Sequence, residues 1–126
     1  MRPEPPTELN ALTRAIIGGA FAVSNALGHG FLETVYKNAL LEEMVSLGLT
    51  AETEKRFSIY YREKQVGCYI ADIVVENKVI VELKAVDTLL RAHGAQLLNY
   101  LRASGLPVGL LMNFGQPKLE FKRILL

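Results

Sequence analysis

The chain carries one cysteine, Cys68, so it can form neither an intrachain disulfide nor a cysteine-rich zinc site. A secreted scaffold held together by bridges is excluded, and a reducing, cytoplasmic setting is expected. Charge of one sign is missing too: 14 Lys and Arg stand against 13 Asp and Glu, a formal net charge of +1. Bulk electrostatics therefore give no attraction to nucleic acid, membranes or acidic partners, and any charge-based function must be local. A long apolar run is also absent. Ala15 to Leu32 has no formal charge, but Ser24, Asn25, Gly28, His29 and Gly30 interrupt it too often for a membrane-spanning helix. The first residues, Met1-Arg2 followed by Pro3-Glu4-Pro5-Pro6, lack the apolar stretch of a signal peptide. Internal repeats and low-complexity segments are missing as well.

What is present is the composition of a folding domain: 126 residues, 50% hydrophobic and 21% charged, with mean hydropathy +0.20. This length suits one core, and we expect a flexible tail over residues 1–7 and a single domain over 8–126. So high a hydrophobic fraction in a short chain also raises a homo-oligomer or a protein partner.

Thr7 is placed to cap a helix starting at Glu8, in which Leu9, Leu12, Ile16, Ala20, Val23 and Leu27 recur at three- and four-residue spacing up to Gly28. A second helical pattern, with Leu32, Val35, Tyr36, Ala39, Leu40 and Leu47, ends at Gly48, which suits a left-handed C-terminal cap. From Leu49 the period changes to two. Phe57, Ile59 and Tyr61 alternate with polar residues, Arg62 to Gln65 makes a charged turn, and Val66 to Val75 resumes as strand. Glu76-Asn77-Lys78 breaks the run, with Asn77 suited to a left-handed conformation, and Val79 to Leu83 reads as a short apolar strand. A third helix over Leu89 to Ala103 and strands over Val108 to Phe114 and Phe121 to Leu126 complete the chain. This order predicts an α/β fold, a mixed β-sheet flanked by α-helices.

If Val75 pairs with Val79, Asp72 lies opposite Glu82. Alternation then puts Ile70, Asp72, Val74, Ile80, Glu82 and Lys84 on one face, and Ile73, Val75, Val79, Val81 and Leu83 on the other. Two opposed carboxylates on a central hairpin repel and resist desolvation, at a cost of roughly several kcal/mol per buried ion. Lys84 offers one balancing charge. A divalent cation offers two, and oxygen ligands at this density suit Mg or Mn, with the lysine beside them to position or activate water for phosphodiester hydrolysis.

Asp72, nine intervening residues and then Glu82-Leu83-Lys84 resemble the acidic pair and lysine of PD-(D/E)XK nucleases. Gly30-Phe31-Leu32-Glu33-Thr34-Val35-Tyr36 matches the motif of the GxxExxY protein family, which is similar to those nucleases. Ala95 to Tyr100 and Val108 to Phe114 extend the resemblance over the chain after the tail. Ile70 and His29 depart from it, standing where arginine and proline are common. The resemblance implies a restriction-endonuclease-like fold with Asp72 and Glu82 as metal ligands, Glu33 approaching from a helix as a third, and Lys84 assisting the nucleophile. Gln96 and Tyr100, four apart on one helical face, are similar to a Gln-x-x-x-Tyr element that supports the site or touches substrate.

The reading is therefore a Mg- or Mn-dependent nuclease acting on nucleic acid, DNA ahead of RNA, with no membrane role. The rival is a nuclease-like scaffold that binds nucleic acid or a protein partner without cleaving. Near-neutral charge favours the rival, because an unaided nuclease needs phosphate-steering charge; the intact acid pair and lysine favour the enzyme. His93, His29 and Cys68 are read as ordinary surface, turn and strand residues.

Overall fold

The computed structural model describes residues 7–126; residues 1–6 of the expected tail lie outside the described residues. The elements are α1 (Thr7–Leu27), α2 (Glu33–Ser46), β1 (Ala51–Tyr61), β2 (Lys64–Val75), β3 (Val79–Lys84), α3 (Arg91–Ser104), β4 (Val108–Asn113) and β5 (Glu120–Leu125). Thr7, expected ahead of the first helix as its cap, is the first residue of α1.

All five strands join one mixed sheet in the order β1-β2-β3-β4-β5. Every neighbouring pair is antiparallel except β3 with β4. That parallel step requires a crossover, and α3 supplies it. Val79 to Leu83 are all buried, as a central strand covered on both faces requires. Alternation along β3 sorts the core into two layers. Val79, Val81 and Leu83 pack with Ile16, Ala20, Tyr36, Leu40 and Met44 of α1 and α2, whereas Ile80 packs with Leu97 and Leu101 of α3.

Two turns set the strand register. Glu76 and Asn77 take φ of 53° and 54°, the Lys78 N–H donates to the Val75 carbonyl at 3.0 Å, and Val75 pairs with Val79 as expected. The β1–β2 turn is shorter than expected. Only Arg62 and Glu63 lie between the strands, both left-handed at φ 48° and 68°, and Tyr61 pairs directly with Lys64. Two positive-φ residues match the right-handed twist of a hairpin, which the longer charged turn would not. The hairpin consequently extends further, and Tyr60, Tyr61 and Val66 at its end are exposed.

The expected assignment of faces fails at one place. Ile73, Val75 and β3 from Val79 to Leu83 fall where alternation puts them, yet Tyr69 and Ala71 join Val74 and Ile80 in the α3 layer while Ile70 is exposed. The phase of β2 therefore slips between Ala71 and Val74. Opposite this point the β1–β2 pairing passes from Thr53–Ile73 to Lys55–Ala71, skipping Glu54 and Asp72, and Glu54 has φ 53°. A left-handed residue in a strand turns the backbone locally, so a strict period of two cannot persist through it.

The segment after β3 is fixed by Asn113, which is fully buried. Its Oδ1 accepts from the N–H groups of Val86 and Gly115, both at 3.0 Å, and its Nδ2 donates to the Val86 carbonyl at 2.8 Å. Gly115 lies against this segment so closely that a Cβ would overlap the backbone of Ala85 and Val86. Gly115→Ala should therefore destabilise the protein by about 1–3 kcal/mol, as overpacking does. Gly18→Ala, at an exposed α1 position with open space around it, should instead stabilise by about 0.5–1 kcal/mol. Chemical denaturation of the two variants beside wild type checks both signs.

Candidate functional site

The β2–β3 ladder runs through Val75–Val79, Val74–Ile80 and Ile73–Val81 and then stops. The next opposed residues are Asp72 and Glu82, and their side chains take over the bonding. The Asp72 N–H donates to Glu82 Oε1 at 3.3 Å, and the Leu83 N–H donates to Asp72 Oδ2 at 3.0 Å. Each carboxylate thus satisfies a backbone donor that the opened hairpin would otherwise leave unpaired. The opening brings the two carboxyl groups together, Glu82 buried and Asp72 half-buried.

Burial pushes the proton affinity of Glu82 up, and the neighbouring Asp72 charge pushes it further, to about 8. Tyr69 opposes this by donating its hydroxyl proton to Glu82 Oε1. The phenol is itself shifted well above its ordinary value by desolvation and by the Glu82 charge, so it remains a donor. Tyr69 stacks on Tyr100 with ring centroids 3.3 Å apart and on Phe57 at 6.2 Å. Desolvation and, secondarily, Glu82 also raise the Tyr100 phenol. Through these rings α3 reaches the acid pair.

Glu33 arrives from the other layer. Gly28 and Gly30 take φ of 70° and 110°, shaping the turn between α1 and α2, and Tyr36 locks it. The Tyr36 hydroxyl donates to the Gly28 carbonyl at 2.7 Å and accepts from the Phe31 N–H at 3.2 Å, while its buried ring stacks on Phe114 at 4.8 Å. The glycine and the tyrosine of the motif are therefore structural, and they hold Glu33 in the first turn of α2. Burial raises the proton affinity of Glu33, Asp72 raises it further, and Lys84 and Lys37 lower it, so Glu33 shares one electrostatic neighbourhood with Asp72 and Lys84. Glu33, Lys37, Glu54 and Asp72 line a cavity of about 190 Å3, across which Lys37 pairs with Glu54.

The six residues singled out in the sequence thus divide. Asp72 and Glu82 meet, and Asp72 and Lys84 both act electrostatically on Glu33. Gln96 and Tyr100 line a separate groove on the α3 side, joined to the acid pair through the Tyr100–Tyr69 stack. Tyr69 is the site residue that sequence reasoning misses, because strict alternation turns it away from Glu82; an aromatic three positions before the aspartate was its only signal. His93 Nδ1 accepts from the Leu90 N–H at 3.0 Å and so caps α3. As a donor set, paired carboxylates fit a hard divalent cation in type. Among the described residues no group of three or more His, Cys, Asp or Glu is placed to hold a metal ion. Nor, among them, is any helix long and apolar enough to cross a membrane.

A five-stranded mixed sheet flanked by helices, with an acid pair where its central hairpin opens, is the architecture of restriction-endonuclease-like α/β proteins. Residues 10–124 match the family model of the PD-(D/E)XK nuclease superfamily, and the chain belongs to that superfamily. No curated protein matches the chain. Among solved structures, the crystal structure of SSO0001 is similar at 19% identity over 90% of this chain and 77% of that one, with a TM-score of 0.46.

The acid pair makes stability depend on pH. The proton affinity of Glu82 is higher folded than unfolded, so its protonated form favours the fold. That contribution is complete below its ordinary value of 4.5 and is lost as pH rises through about 8. The melting temperature of wild type should therefore fall across this window relative to Glu82→Gln, which has no proton to lose. Asp72→Asn should move the window to lower pH, since it removes the second cause of the shift. Thermal melts of the three proteins over a pH series check this.

Proposed function

We propose that this domain is a nuclease-like scaffold that binds nucleic acid, DNA ahead of RNA, without cleaving it, and that within its superfamily it is a GxxExxY protein. The engagement of the acid pair by the protein's own donors carries this reading. Glu82 Oε1 takes the Tyr69 hydroxyl and the Asp72 N–H, and Asp72 Oδ2 takes the Leu83 N–H. Oxygens so occupied, with a proton affinity near neutrality on Glu82, are poor partners for a cation. Superfamily membership supports nucleic acid as the partner, and the Gly30–Tyr36 segment supports the narrower family.

A second reading is favoured by Asp72 and Lys84 both bearing on Glu33. In it the protein hydrolyses phosphodiester bonds of DNA, with Asp72, Glu82 and Glu33 as ligands for Mg or Mn and Lys84 beside the attacking water. The metal would supply charge neutralisation and an acidified water. For this chain to act so, Tyr69 would have to release Glu82, and Glu33 would have to close on the pair.

Labelled single- and double-stranded DNA and RNA, incubated with Mn, Mg or chelator, distinguish the two. The scaffold should bind DNA and leave it full length under every condition, and Tyr69→Phe should do the same. Metal-dependent cleavage by wild type that disappears in both Glu82→Ala and Lys84→Ala would overturn the scaffold reading and establish the hydrolase.

A further inference from the structure

Beside the acid pair, α3 and the outer part of β1 enclose a groove of about 720 Å3, within the roughly 300–1,000 Å3 range of small-ligand sites. Its α3 wall is one helical stripe, Gln96, Asn99 and Tyr100, at i, i+3 and i+4. Its β1 wall is made by Ser58, Ile59 and Tyr60; Ile59 packs in the α3 layer, and Tyr60 is 64% exposed. Arg102 completes the lining, with its Nη1 donating to Asn99 Oδ1 at 3.0 Å, a bond that orders guanidinium and amide together. None of the lining residues is acidic.

The chemistry of this lining is specific. An exposed aromatic ring offers a stacking face, carboxamides offer a donor and an acceptor side by side, and a guanidinium offers a phosphate contact. A nucleobase on its sugar-phosphate presents the complements of all three. In a duplex the base faces and pairing edges are occupied, so only an unpaired strand can present them together.

We propose that this groove holds an unstacked base of a single-stranded nucleic acid, with Tyr60 as the stacking platform, Gln96 and Asn99 at the base edge and Arg102 toward the backbone. The proposal rests on the nucleic-acid reading above and names the form of nucleic acid. Tyr60 and Arg102 lie outside the motifs singled out in the sequence. Beyond the groove the same chemistry continues: Tyr61 is 61% exposed, and the Arg62 guanidinium lies 5.2 Å from its ring centroid. A base so held would lie beside Tyr100 and hence one aromatic layer from Glu82.

The test is fluorescence anisotropy of a short labelled DNA of mixed sequence, as a single strand and as its duplex, with wild type, Tyr60→Ala and Tyr60→Phe. Circular dichroism of each variant confirms the fold. Tyr60→Ala should weaken single-strand binding about 5- to 150-fold, the effect of losing one stacked base. Tyr60→Phe should keep it, and duplex binding should be the same in all three proteins. Unchanged single-strand binding in Tyr60→Ala, an equal loss on single strand and duplex, or an equal loss in Tyr60→Phe would each overturn the groove assignment while leaving nucleic-acid binding intact. Wild type that binds neither form would overturn both readings.

Discussion

The replacement of main-chain pairing by side-chain pairing at Asp72 and Glu82 is the constraint on which the site depends. Up to Ile73 and Val81, β2 and β3 are an ordinary hairpin; beyond them two carboxylates accept the bonds that carbonyls would have taken. A buried N–H left without a partner costs about 1–3 kcal/mol, so the strands can part only because these acceptors are at hand. Parting them gives Asp72 access to the α2 cavity, places Glu82 beside Tyr69, and lets the phase of β2 slip. Glu54, left-handed on β1 opposite the same point, lets the edge strand follow.

Two carboxyl groups in contact away from water can be reconciled by a proton, by a cation or by donors aimed at them. This protein's own groups supply the first and the last. The Tyr69 hydroxyl and two main-chain N–H groups are aimed at the pair, and the raised proton affinity of Glu82 completes the balance near neutral pH. The lysines contribute less. Lys37 is engaged with Glu54, and Lys84 bears on Glu33.

Much of this was legible in the sequence because the signals were local. Helix periods ending at Gly28 and Gly48 gave the first two helices; Asn77 gave the turn that sets Val75 opposite Val79, and with it the meeting of Asp72 and Glu82. Membership in the PD-(D/E)XK superfamily was legible in the acid pair and lysine. The β2 phase slip was not, because it depends on Glu54 adopting a left-handed backbone where no glycine or asparagine announces one. Tyr69 was hidden for the same reason, since alternation counted through Asp72 points it away. The two-residue turn at Arg62-Glu63 was hidden because neither residue is a usual left-handed choice. The roles of Gly30 and Tyr36 emerge only in three dimensions: they look like site residues in a motif, and they act as the clamp that holds Glu33.

Near-neutral charge, which seemed to weigh against nucleic acid, bears instead on how nucleic acid would be held. Affinity built on phosphates scales with the number of cations in contact and collapses as salt rises. Affinity built on stacking depends on ring faces and is available to a neutral chain, at about 1–3 kcal/mol per base. The α3 groove has the rings and amides for the second mode and a single guanidinium for the first. On that physical basis, a chain with a net charge of only +1 would, in the proposed reading, hold unpaired strands, whose bases are free to stack, better than duplexes, which offer mainly phosphates. The same groove ends at Tyr100, whose ring lies on Tyr69 and so on the donor that engages Glu82. A strand seated there would lie against the stack that carries one of the two donors on Glu82 Oε1, the other being the Asp72 N–H, so in the proposed reading strand binding and the state of the acid pair are physically linked.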